Sequence, residues 1–265
     1  MVPELIPRRA STVLTLRDGV EGFEVLMLRR NLNSDFVGGA YVFPGGGVDD
    51  DDDVPSLGGQ VLGLDDVAAS TRLALQSGGL SYFVAGLREL FEEAGLLVVR
   101  DDHGGTVAFT DPALVRRLAD QRRAINAGNL PFFEMLTNEG LMLDVREMAY
   151  LAHWVTPVGP PRRFDTRFFV IVAPPHQIAL HDDGETIDSR WVRPREALAA
   201  HERGELEMIL PTIRNLENIA AFTSAHEVVA YANSLVIIPC IEPRIVVRDG
   251  RAVILLPGDE GFDDY

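Results

Sequence analysis

Apolar and polar positions fall into short blocks whose periods change along the chain. Residues 11–16 and 24–29 are β-rich runs, and Arg17-Asp18-Gly19 between them predicts a hairpin turn. Residues 41–43 read as a short aromatic strand, and Pro44-Gly45-Gly46-Gly47 as the loop that ends it. A stretch rich in Gly, Asp and Ser follows, with a short helix expected at 65–76. The spacing then predicts a helix over 81–94, stopped by Gly95, and a buried strand at 96–99. Further helices are expected at 111–126, 131–137, 194–201, 210–222 and 224–234, and strands at 167–173 and 188–192. Residues 146–155 suit a helix or a strand equally, and the chain closes on a hairpin, 244–248 and 252–256, turning at Asp249-Gly250. Strands and helices that alternate this irregularly imply a mixed α/β sheet with helices on both faces.

The segment LRELFEEAGLLV, residues 87–98, has an unusual polar face. At 3.6 residues per turn Glu89, Glu92 and Glu93 stand at i, i+3 and i+4 on one side. Leu87, Leu90, Phe91 and Ala94 form the apolar stripe opposite, which docks the helix. Three like charges at these spacings repel by a few tenths of a kcal/mol, roughly, per exposed pair, and Arg88 offsets part of that through its i+4 partner Glu92. The face is either a solvated acidic surface or a site for something positive.

Composition narrows the alternatives. In 265 residues the formal charge is −16, which disfavours nucleic acid and anionic membrane as partners. A phosphorylated substrate would then require a local cation, clustered arginine or a metal. Cys240 is the single cysteine, so neither an intramolecular disulfide nor a cysteine-based zinc cluster is expected. The opening residues lack a signal-type apolar core, and the final Asp-Asp-Tyr is no retention or peroxisomal tail, so cytoplasm is the expected compartment.

Arg88-Glu89-Leu90-Phe91-Glu92-Glu93-Ala94-Gly95-Leu96 resembles the second half of the Nudix box of the Nudix hydrolases, and Phe43-Pro44-Gly45-Gly46 resembles its first half. That resemblance implies a Nudix fold, an α/β/α sandwich with a mixed sheet. It implies metal-dependent hydrolysis of a nucleoside diphosphate linked to another moiety, the substrate being a small molecule. Glu89, Glu92 and Glu93 would ligate Mg²⁺ or Mn²⁺ together with the Gly45 carbonyl, hard oxygen donors for a hard cation. Arg88 would orient the glutamates.

Five residues separate Gly46 from Asp52, which stands where the family has glutamate, and an insertion of about 53–80 separates it from Arg88. The run of aspartates at 49–53 reads as a solvated acidic loop in preference to a second cation site. A long insertion in the box resembles the branch that includes coenzyme A diphosphatases, as do His153-Trp154-Val155-Thr156-Pro157 and the run from Arg162 to Phe169. In a signature of that branch ahead of Phe43, Arg30 and Gly39 agree and Leu28, Asn31 and Asp35 differ. Coenzyme A or an acyl-coenzyme A is the leading substrate, with NADH, ADP-ribose or another nucleotide conjugate as the alternative. A non-catalytic nucleotide sensor on the same fold is the rival class. One domain over 1–265 is expected, with a second, helical insertion at about 110–148 and a C-terminal hairpin extension at about 240–265.

Outside the box, Glu185 is the first candidate for a catalytic base, followed by Asp188. Arg162, Arg163 and Arg167 suit phosphate oxygens, although Arg163, Asp165 and Arg167 share one face of a strand and equally suit a salt-bridge ladder. Arg29 and Arg30 carry the same ambiguity. Trp154 and Trp191 are expected in the core, and Phe132-Phe133 in the core or in a groove for substrate or for a homodimer partner.

Overall fold

The computed structural model describes residues 5–32, 38–53, 59–182, 184–248 and 250–264. Asp35 and Asp249 of the sequence reading lie outside the described residues.

Strand β1 (Arg8–Gly19) and β2 (Gly22–Arg30) pair antiparallel with Gly19 opposite Gly22. The two-residue turn is therefore Val20-Glu21, and the expected turn residues Arg17, Asp18 and Gly19 belong to the strand. Cross-strand contacts extend the ladder past the Asp-Gly pair: Arg17 donates to Glu24 at 2.7 Å and stacks 4.4 Å from the Trp191 ring centre. β3 (Tyr41–Val42) pairs with β2. The glycines expected as a loop form β4 (Gly45–Gly47), antiparallel to Ala10–Thr12 of β1. A Cβ on Gly45 would stand 2.4 Å from the Ser11 carbonyl oxygen, so only glycine permits this approach.

β5 (Val61–Leu62) and α1 (Asp66–Arg72) come from the first insertion, followed by α2 (Gly79–Ala94), the glutamate helix, and β6 (Val99–Asp101). Residues 96–98 are buried as expected but precede the strand. The second insertion holds α3 (Pro112–Asn126), α4 (Phe132–Glu139) and β7 (Leu141–Asp144), so it is not wholly helical. The two insertions join, because β5 and β6 flank β7 in a small sheet.

The ambiguous segment is a strand, β8 (Ala149–Val155), antiparallel to β9 (Phe164–Val172). β10 (Thr186–Val192), α5 (Pro194–Glu202), α6 (Leu210–Ile219) and α7 (Ala225–Ser234) follow. β11 (Cys240–Ile241) joins the main sheet in parallel with β8, and β12 (Arg244–Arg248) and β13 (Arg251–Leu255) form the last hairpin. The main sheet runs β10-β2-β1-β9-β8-β11 and is mixed, since β1 and β9 are parallel.

Strand alternation sorts the core into two layers. Val13, Leu26, Leu28 and Phe169 pack with Phe83, Leu87 and Leu90 of α2. Leu14, Met27, Phe168 and Val170 pack with Leu216, Ile219 and Val228 of α6 and α7. This is the expected α/β/α sandwich. Phe132 is buried 6.0 Å from the Phe91 ring and serves the core. Among the described residues no helix is long and apolar enough to cross a membrane.

Phe83 is fully buried, its ring centre 4.5 Å from that of Phe169, at the join of α2 and the sheet. Phe83→Ala is expected to lower the unfolding free energy by about 3–5 kcal/mol in urea denaturation.

Candidate active site

Helix α2 is buried nearly all round, not on one stripe alone: of its residues from Gly79 to Ala94 only Glu89 and Glu92 are partly exposed. The carboxylate face thus lies in a cleft. Helix α3 covers the end of α2, where Arg122 Nε and Asn126 Nδ2 donate to the Glu92 carbonyl at 2.9 and 3.0 Å. These bonds satisfy a carbonyl of the last turn that α2 itself leaves unpaired. Gly95, at φ 70°, takes the left-handed turn that ends the helix.

Arg88 is the centre of the site. Its Nε and Nη2 donate to Asp52 at 2.9 Å each, and Nη2 also donates to the Gly47 carbonyl at 2.9 Å. Nη1 reaches Glu89 at 2.9 Å and Glu92 at 3.3 Å. Arg88 therefore bonds two of the three glutamates and is itself clamped by a bidentate carboxylate. Asp52 is 0 % exposed, which corrects the solvated-loop reading at this position; Asp50 and Asp51 beside it are exposed. A short 3₁₀ turn, Asp50–Asp52, aims the side chain inward, and the Asp49 N–H donates to it at 2.9 Å. Counting from Gly46 was the one signal that singled out Asp52 from its neighbours. Burial pushes its carboxyl pKa up, against the hydrogen bonds and charge of Arg88. Burial also works against the Arg88 charge, but Asp52, Glu89 and Glu92 hold the guanidinium above its ordinary range.

Glu89 and Glu93 form the second feature. Glu93 is 5 % exposed and accepts the Gly45 N–H at 2.9 Å. Burial, then the charges of Glu89 and Glu185, raise its pKa well above the usual carboxylate range, opposed by the Gly45 hydrogen bond and Arg30. Glu89 is pushed up to about 7, chiefly by burial and then by Glu92 and Glu185, against Arg88. A Cβ on Gly46 would stand 2.5 Å from a Glu89 oxygen, so the second glycine leaves room for that carboxylate. Among the described residues no three His, Cys, Asp or Glu side chains meet at one point. The donor chemistry nonetheless fits a hard divalent cation, because Glu89 and Glu93 are oxygen ligands whose mutual repulsion and desolvation such an ion would relieve.

Glu185 is exposed, yet its charge bears on both Glu89 and Glu93. Its loop is tied down: the Asn31 N–H donates to the Glu185 carbonyl at 2.8 Å, and the Glu185 N–H to Asp182 at 3.0 Å. Asp188 instead accepts from Tyr41 at 2.8 Å and Arg190 at 2.7 Å. Arg30 lies on the site side, and its Nε is buried without a hydrogen-bond partner among the described residues.

Arg163 and Arg167 do not join it. Alternation along β9 turns Arg163, Asp165 and Arg167 away from the face that carries Phe164, Thr166 and Phe168. Arg163 is buried and donates to the Leu5 and Thr156 carbonyls at 2.8 and 3.0 Å and to Glu242. Arg167 is buried, donates to the Tyr150 hydroxyl at 3.0 Å and lies 3.8 Å from Asp165. Asp165 in turn contacts His153 at 2.6 Å. In place of an Arg163–Asp165–Arg167 ladder stands a His153–Asp165–Arg167 cluster, and Arg163 ties Leu5 to Thr156 and Glu242.

Beside the carboxylates lies a cavity of about 340 Å³ that Arg30, Gly45 and Gly46 border. Among the described residues neither insertion lines it.

Asp52→Asn removes half of the Arg88 clamp and is expected to weaken Mn²⁺ binding about 10–100-fold in calorimetry. Asp51→Asn, on the exposed side of the same turn, is expected to leave it within about twofold.

Residues 64–219, more than half of the chain, match the family model described as NUDT19 Nudix domain. The acyl-coenzyme A diphosphatase NUDT19 of Xenopus laevis is 26% identical over 280 residues, covering 94% of this chain and 73% of that protein. The human protein of the same name is 27% identical over 273 residues, covering 91% and 72%. Among solved structures, a NUDIX hydrolase from Alicyclobacillus acidocaldarius superposes with a TM-score of 0.66 at 29% identity, over 85% of this chain and 96% of that one. With the box, the fold and the family model in agreement, this chain belongs to the Nudix hydrolases, in the NUDT19 Nudix domain family.

Proposed function

We propose that the chain hydrolyses the diphosphate of coenzyme A or an acyl-coenzyme A with Mg²⁺ or Mn²⁺, splitting it into two phosphate monoesters. The observation that carries this reading is the pair of buried Glu93 and partly buried Glu89 set beside a cavity bordered by Arg30. The names of the relatives, acyl-coenzyme A diphosphatases, support the choice of substrate. Glu89 and Glu93 would hold the cation, with Glu92 and the Gly45 carbonyl as the further donors implied by the box. The ion supplies Lewis acidity toward the phosphoryl oxygens and lowers the pKa of water.

The remaining work falls to side chains. Arg88 keeps Glu89 and Glu92 in place through its Asp52 clamp. Arg30 offers an uncommitted buried N–H to a phosphate oxygen. Glu185, on a braced loop at the rim, would accept the proton of the attacking water. A pure nucleotide sensor has no use for a buried carboxylate held against a second that repels it, which favours the enzyme reading.

The test is a panel of coenzyme A, acetyl-coenzyme A, NADH and ADP-ribose, assayed with Mg²⁺ and with Mn²⁺. Coenzyme A and its thioester are expected to turn over best. Glu93→Gln is expected to lower kcat about 100-fold or more, and Glu185→Gln about 100-fold. Absence of turnover on the whole panel, or full activity in Glu93→Gln, would sink the hydrolase reading.

A further inference from the structure

The cavity beside the carboxylates is mostly apolar, and the diphosphate chemistry alone does not explain it. Phe43, Trp154, Phe168, Leu210 and Ile254 form much of its wall. Its about 340 Å³ falls at the lower end of small-molecule sites, which run from roughly 300 to 1,000 Å³. Arg30, Gly45 and Gly46 form its border toward Glu89 and Glu93, and Arg162 with Thr12, Thr156, Thr166 and Thr212 are the other polar residues of the lining. The arrangement suits a molecule whose charged end sits at the carboxylates and whose other end is apolar.

One part of the wall comes from outside the matched family region. Pro243 and Ile254 belong to the C-terminal segment, beyond residue 219. That segment is fastened: Val246 and Leu255 are buried, the Arg244 guanidinium lies 4.3 Å from the Phe262 ring centre, and Glu242 pairs with buried Arg163. Arg163 ties the root of the hairpin to Leu5 and to the end of β8. The hairpin is therefore a braced wall, and Ile254, 52% exposed, stands at its open edge.

From this placement we infer that the cavity receives the pantetheine and acyl arm of the substrate, and that the C-terminal hairpin makes turnover depend on acyl-chain length. This rests on the diphosphatase reading and goes further by assigning the apolar end. Each buried methylene strengthens binding roughly three- to fourfold, so a medium chain in this cavity raises kcat/KM where a two-carbon chain does not. The competing occupant is the adenine ring, which coenzyme A and every thioester share.

The two separate in kcat/KM for coenzyme A, acetyl-coenzyme A and octanoyl-coenzyme A with Mn²⁺, in the wild type, Ile254→Asp and Ile254→Leu. The wild type is expected to favour octanoyl over acetyl about tenfold or more. Ile254→Asp is expected to reduce that ratio below about threefold, its loss growing with chain length, while Ile254→Leu keeps the preference. A measurement independent of the variants is inhibition of the wild type by octanoyl-pantetheine, which carries no diphosphate and should compete at least about tenfold better than acetyl-pantetheine. A flat chain-length profile in the wild type, or an equal loss on all three substrates in Ile254→Asp, overturns the inference and leaves the diphosphatase reading standing. No turnover of any coenzyme A substrate overturns both.

Discussion

The bidentate pair of Arg88 with Asp52 is the interaction on which the site depends. It joins two segments far apart in the chain, the turn that follows the glycine strand and the middle of α2, with the first insertion between them. Both partners are buried, and a buried charge without its mate is strongly unfavourable. Each therefore requires the other. With Asp52 satisfying one edge of the guanidinium, the opposite nitrogen is free to hold Glu89 and Glu92. An aspartate is shorter than the glutamate usual at this place in the box, and the 3₁₀ turn at Asp50–Asp52 brings its carboxylate to Arg88.

Close backbone approach is the second constraint. Strand β4 lies against β1 because Gly45 has no side chain to meet Ser11, and Gly46 leaves its flank to the Glu89 carboxylate. One thin strand thus has carboxylates on one side and an apolar cavity on the other. That geometry sets the carboxylates next to an apolar cavity without mixing the two environments. The described residues of the insertions build a separate small sheet and cover α2, and none of them lines the pocket.

Much of the architecture was legible because it rests on local periodicity. The apolar spacing of α2, the proline at the start of α5 and the left-handed Gly95 mark elements whose signals lie within one or two turns. Where the reading departed, the deciding partner was distant. Residues 17–19 suit a turn by composition, yet Arg17 is held extended by Glu24 and Trp191. The glycines after Pro44 suit a loop, yet pair with β1. Residues 146–155 had no decisive period because β8 is buried on both faces.

By itself the sequence determined the class of chemistry. An arginine and three glutamates at helical spacing, with a Phe-Pro-Gly-Gly run upstream, set the box, and its resemblance to the Nudix box implied a cation to relieve the repulsion among those carboxylates. Tertiary structure decided which of five consecutive aspartates is buried, since burial depends on the turn and on the arginine it meets. It also decided that Arg163 and Arg167 face away from the cavity while Arg30 borders it, because the side of a strand is fixed only by what the sheet packs against. The apolar cavity, with one wall supplied by the C-terminal hairpin, left no trace in any single segment, because its lining comes from strands, a helix end and a hairpin that only folding brings together.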